Sequence, residues 1–112
     1  MSIQISADKT KEIEPYVEKI SELLQTAKAF DDVAIPDSVR NLPVWELKES
    51  PERVKNMLNK MGVCTLWELV HLDIVKCRSF RGGFFASKRR ISELLCAIKE
   101  AVNLFRLIPD GF

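Results

Sequence analysis

The sequence predicts an all-α protein, an N-terminal amphipathic helix followed by a compact bundle of short helices. Two observations predict it. Apolar residues recur at three- and four-residue spacing around residues 17–30, 54–61 and 91–105, and Ser, Thr, Pro and Gly stand where helices start and stop. A chain of 112 residues permits one domain with at most one appended element. The expected division is residues 1–41, a helix and linker, and residues 42–112, the helical domain.

Residues 1–8 alternate weakly and read as a frayed arm. A helix is expected to begin between Thr10 and Pro15, because proline suits the first helical position. Val17, Ile20, Leu24 and Ala27 then form an apolar seam, with Glu18, Lys19, Glu22, Gln25 and Lys28 on the other phases. The seam is too short for a free coiled coil, so it must cover its own domain or another chain. Residues 31–43 carry two prolines and no helical period, which reads as a linker. Val44–Leu47 reads as a short element with Trp45 packed inward.

From Ser50 the signals sharpen. Ser50 is a candidate cap and Pro51 suits the first helical position, followed by Val54, Met57, Leu58 and Met61 on one face. Gly62 supplies the stop. Thr65 and Glu68 form the capping-box pattern of a short helix ending near Leu72, and residues 73–77 suggest one or two further turns. Arg81-Gly82-Gly83 breaks the chain. Ser87 caps the final helix, whose stripe is Ile91, Leu94, Leu95, Ile98, Ala101, Val102 and Phe105, and Pro109-Asp110-Gly111 is expected to end it in a turn.

Composition narrows the function classes. With 46% apolar and 29% charged residues the chain has globular rather than disordered composition. No apolar run approaches the ~18–20 residues of a membrane span, and the N-terminus lacks a signal-peptide pattern. The expectation is a soluble, cytoplasmic protein without membrane attachment. Cys64, Cys77 and Cys96 form no paired spacing with one another or with His71, so neither zinc nor any other cofactor is expected. No P-loop, paired-carboxylate or nucleophile motif points to an enzyme.

The net charge of +1 conceals an asymmetry: residues 1–52 carry a net −5 and residues 53–112 a net +6. An anionic partner would meet the second half. Arg53, Asn56 and Lys60 share one face of their predicted helix, away from the apolar stripe. Arg53 falls in the first turn, where the helix dipole disfavours a cation by about 0.3–1 kcal/mol unless an external anion pairs with it. Asn56 adds a donor and an acceptor suited to base edges or sugars. Lys88, Arg89 and Arg90 repeat the pattern directly after Ser87, beside the free amides that already favour phosphate at a helix start. Arg78 and Arg81 extend the patch. A solvated polar face is the plain alternative for each group. The order of helix, Gly-marked turn, short helix, loop and capped helix suits a helix-hairpin-helix-like arrangement.

Residues 42–102 resemble the C-terminal domain of the bacterial RNA polymerase alpha subunit. The likeness runs through Leu42-Pro43-Val44 with Leu47, Arg53 with Asn56-Met57-Leu58, Gly62-Val63-Cys64-Thr65-Leu66, Glu68-Leu69-Val70 and Ile91-Ser92-Glu93-Leu94. It implies that Arg53 and Asn56 enter a DNA minor groove and that Ser87-Lys88-Arg89-Arg90 contacts phosphates. The chain departs from the family in three places. Its loop before the last helix is longer, Ser87 stands where the family has a hairpin glycine, and Gly82-Gly83 lie upstream with Phe84-Phe85 after them. The N-terminal helix has no counterpart in the isolated family domain, which suggests a free-standing relative.

The leading expectation is a non-catalytic domain that binds double-stranded DNA through an A·T-rich minor groove and the phosphate backbone, in transcription or its regulation. The DNA-binding set is Arg53, Asn56, Lys60, Ser87, Lys88, Arg89 and Arg90. The alternative is a protein–protein module of the same fold, a homodimer or a docking site for transcription proteins. Its contact would use Val17, Ile20 and Leu24 of the N-terminal seam together with Phe84 and Phe85, which are otherwise buried plugs. The DNA reading fails, in favour of an adaptor, if Arg53 and the 88–90 trio lie on opposite sides of the molecule or are locked into carboxylates of their own chain.

Overall fold

The computed structural model describes residues 2–32, 35–79 and 83–111, and the side chains of residues 13–32, 35–77 and 83–106. In chain order the helices are α1 (Ser2–Ala27), α2 (Asp37–Arg40), α3 (Glu52–Lys60), α4 (Leu66–Val70), α5 (Ile74–Ser79) and α6 (Lys88–Gly111), with 3-10 turns at Lys28–Asp32, Val44–Glu46 and Phe84–Ala86. No β-strand occurs among the described residues, only an isolated bridge between Pro43 and Thr65. The fold is all-α.

The apolar stripe of α6 is the axis of the core. Ile91, Leu94, Ile98, Ala101, Val102 and Phe105 are all buried. Against them pack α1, α3, α4 and the Phe84–Ala86 turn. Leu58 of α3 and Leu66 and Leu69 of α4 complete the interior. Local chemistry fixes the hairpin between α3 and α4. Gly62 takes a left-handed φ of 83°, a conformation that a side chain would strain. Thr65 accepts a hydrogen bond from the Glu68 amide while the Glu68 carboxylate accepts from the Thr65 amide, the reciprocal cap expected from sequence.

The N-terminal unit belongs to the same core. Val17 is 8% exposed, Ile20 fully buried, and Leu24 half-buried. The seam is therefore covered by its own chain, and the expected partner contact through Val17 and Ile20 is corrected: Ile20 has no surface and Val17 very little to offer a second copy. Phe84, only 2% exposed, is likewise a plug in the core, and Phe85 packs half-buried against it. Beyond α1, the ring of Phe30 lies 5.6 Å from that of Phe105, which meets Trp67 edge-on at 5.7 Å. The Arg40 guanidinium sits 4.7 Å over the Trp67 ring, so one indole joins α2, α4 and α6.

Several local expectations are revised. α1 begins at Ser2 and passes through Pro15 instead of starting near it. The exposed proline gives up one backbone hydrogen bond, and buried Ile13 and Val17 on either side hold the helix together. Part of the expected linker is helical, because the end of the Lys28–Asp32 turn and all of α2 fall within it. Trp45 does not point inward: it is 44% exposed beside Lys55, while Val44 and Leu47 on either side of the same turn fill the core. Ser50 is not the cap of α3. It is buried with its hydroxyl directed at the Glu100 carboxylate, and Pro51 takes the capping position without a side-chain bond. α6 continues past Pro109, where a turn was expected; so close to the helix end, the proline removes a single backbone donor.

If α1 belongs to the cooperative unit, Ile20→Ala should lower unfolding free energy by about 2–5 kcal/mol. Val75→Ala, at a site 75% exposed, should change it by less than about 0.5 kcal/mol. Urea denaturation reads both, and a harmless Ile20→Ala would remove α1 from the core.

Candidate nucleic-acid interface

The starts of α3 and α6 face one cleft of about 420 Å³, lined by Arg53, Val54, Met57, Phe84, Ser87, Arg89, Arg90 and Glu93. The buried sides of Val54 and Phe84 belong to the core, so packing of α3 and the Phe84–Ala86 turn on α6 sets Arg53 beside Arg89 and Arg90, whereas Lys88 does not line this cleft. Ser87 caps α6 by accepting the Arg90 amide on Oγ at 3.2 Å. Lys88, Arg89 and Arg90 are all exposed. The side chains of Lys88 and Arg89 make no hydrogen bond or ion pair with the described residues.

Arg53 is not clear of its own chain. Its Nη2 lies 2.6 Å from Glu93 Oε2; the arginine side chain is 59% exposed and the glutamate 16%. Arg53 is thus tied to its own chain through one nitrogen, but a side chain that is mostly exposed is not locked there. Spacing within α3 shows the outward face of Arg53, but only the packing of α6 reveals that Glu93 lies beneath it. Glu93 is the site residue that the sequence does not single out, because nothing in the Ile91-Ser92-Glu93-Leu94 run shows that it meets α3.

The remaining candidates divide. Asn56 is exposed on α3, one turn beyond Arg53. Lys60 lies at the far end of α3 and lines a different cleft of about 500 Å³ with Met61, Trp67, His71, Lys76 and Cys77; it does not join the Arg53 group. Arg81 and Gly82, and the side chain of Arg78, lie outside the described residues.

The two interhelical connections differ in what they leave open to an anion. Between α3 and α4 the amides of Gly62, Val63 and Leu66 donate to the carbonyls of Asn59, Leu58 and Leu42. Those of Cys64 and Thr65 donate to the Glu68 carboxylate. That hairpin is filled by its own carboxylate. At the start of α6 the first-turn amides of Lys88 and Arg89 have no such partner among the described residues, the usual condition of a helix start receptive to phosphate.

His71 and Cys77 share the second cleft but do not form an activated pair. Both imidazole nitrogens are engaged, Nδ1 with the Trp67 carbonyl at 2.8 Å and Nε2 with Asp31 at 2.6 Å. Burial, with the Asp73 carboxylate adding to it, pushes the Cys77 thiol up to about 11. Among the described residues no group of three or more His, Cys, Asp or Glu side chains is placed to hold a metal ion. Among the described residues no helix is long and apolar enough to cross a membrane.

Comparison with models of known families, with curated proteins and with solved structures finds no match to this chain.

The thiols give a direct check on this geometry. At about pH 8, iodoacetamide should modify exposed Cys64 and Cys96 well before Cys77, read by mass spectrometry. Folding keeps Cys77 protonated above its ordinary value of 9.0. Its contribution to stability is therefore complete below that pH and is lost as pH rises through about 11. Equal alkylation of all three cysteines in the folded protein would contradict the placement of α5.

Proposed function

We propose that the chain is a non-catalytic, helix-hairpin-helix-like DNA-binding module of the kind its resemblance to the RNA polymerase alpha C-terminal domain implies. It would grip duplex DNA through the cleft between the starts of α3 and α6. One observation carries this reading: Arg53 from one helix and Ser87, Arg89 and Arg90 from another line the same cleft. In the proposed mode Arg53 and Asn56 reach into the minor groove, and Ser87, Lys88, Arg89 and Arg90 hold the flanking phosphates.

The Arg53–Glu93 pair shapes the mode. A guanidinium carries five donors, and the bond to Glu93 engages one nitrogen. The rest of a side chain 59% exposed remains available to a base edge, sugar or phosphate. Anchored at one corner, Arg53 loses less conformational freedom on binding than a free arginine. The carboxylate also removes one unit of positive charge from the cleft and repels phosphate. The module is thus suited to modest, salt-sensitive affinity rather than tight electrostatic capture.

Fluorescence anisotropy with A·T-rich and G·C-rich duplexes, between about 50 and 200 mM salt, tests the reading. Arg53→Ala should weaken A·T-rich binding about tenfold with an unchanged helical spectrum. Arg89→Ala should weaken both duplexes alike and reduce the salt slope by about one. A folded Arg53→Ala protein with wild-type affinity would overturn the assignment. The second reading, a protein-docking module, draws on the exposure of Trp45 and Val75. It would be favoured by salt-independent, negligible DNA affinity in the wild-type chain.

A further inference from the structure

His71 is the only histidine of the chain, and both of its ring nitrogens face acceptors. Nε2 lies 2.6 Å from Asp31 Oδ1, and Nδ1 lies 2.8 Å from the backbone carbonyl oxygen of Trp67. Neither a carbonyl nor an ionised carboxylate has a proton to donate. A neutral imidazole carries one N–H, so either tautomer would aim a lone pair at one of these oxygens. Only the imidazolium, with two N–H groups, satisfies both contacts.

We propose that His71 is a proton-operated latch between the N-terminal unit and the domain that follows it. In its protonated form it ties the Lys28–Asp32 turn, at the end of α1, to the end of α4. Loss of the proton leaves one contact without a donor and loosens that joint. The residues at the joint are Asp31 from the turn, the Trp67 ring 4.3 Å away on α4, and Arg40 of α2 over that ring. Lys60, Glu68, Asp73, Lys76 and Cys77 line the same cleft. Two of the nearby acids are already committed, Glu68 to the Cys64 and Thr65 amides and Asp73 to the Val75 and Lys76 amides. Asp31 is the carboxylate bonded to the ring. The turn is also held by Phe30 on Phe105, so opening the latch loosens this segment without unfolding the core.

The test uses the full chain. Ring-nitrogen NMR of His71 reports its protonation, and hydrogen exchange of the Lys28–Asp32 amides, corrected for intrinsic rates, reports the joint from about pH 5 to about pH 8. The expected result is a doubly protonated ring wherever the turn is most protected. Protection should then fall roughly two- to fivefold as the ring loses its proton, the range an exposed ion pair supports. Asp31→Asn and His71→Gln should each abolish this pH dependence while α6 amides stay protected. A neutral ring at the pH of greatest protection, or an unchanged pH profile in Asp31→Asn, would overturn the latch.

Discussion

The burial of one stripe of α6 constrains everything else in this molecule. Ile91, Leu94, Ile98, Ala101, Val102 and Phe105 are all buried, and α1, α3, α4 and the Phe84–Ala86 turn reach the core by packing on that helix. A helix fixed along so much of its length has no freedom in where its first turn emerges. Lys88, Arg89 and Arg90 are exposed where the stripe begins, and Val54 and Phe84 hold the start of α3 against the same end. The cleft that brings Arg53 to Arg89 and Arg90 is thus a consequence of hydrophobic packing, and the charges are placed by residues that carry none.

Electrostatics then refines what packing has placed. Glu93 sits one turn into α6, largely buried under Arg53. A carboxylate there fixes the direction of a guanidinium that would otherwise sweep through solvent, at the cost of part of the local positive potential. The α3–α4 hairpin shows the opposite outcome for a similar backbone feature. Its Cys64 and Thr65 amides are taken by Glu68 from within the fold, leaving the start of α6 with the more open of the two sets of backbone amides.

Much of the fold was legible in the sequence because caps and periodicity act locally. The Thr65–Glu68 box, the Gly62 stop, the Ser87 cap and the α6 stripe all lie within one or two turns of the residues they organise. What escaped depends on distant partners. Pro15 read as a helix start because nothing local reveals that Ile13 and Val17 are both buried. Trp45 was expected inside because an indole is a large apolar group, yet its neighbours Val44 and Leu47 occupy that space. Ser50 has the chemistry of a cap, but its hydroxyl turns toward Glu100, fifty positions away in sequence. The candidate site divides in the same way. Helical phase shows the outward faces of Arg53 and Asn56, whereas the Glu93 contact and the separation of Lys60 into another cleft arise only in three dimensions.

Backbone amide NMR of the full chain, titrated with a short A·T-rich duplex, tests the central claim most directly. Shift changes confined to the start of α3 and to residues 87–90, with the Lys60–Lys76 cleft unmoved, are the predicted result. Changes centred on that second cleft or on Trp45, or no changes at low salt, would contradict it.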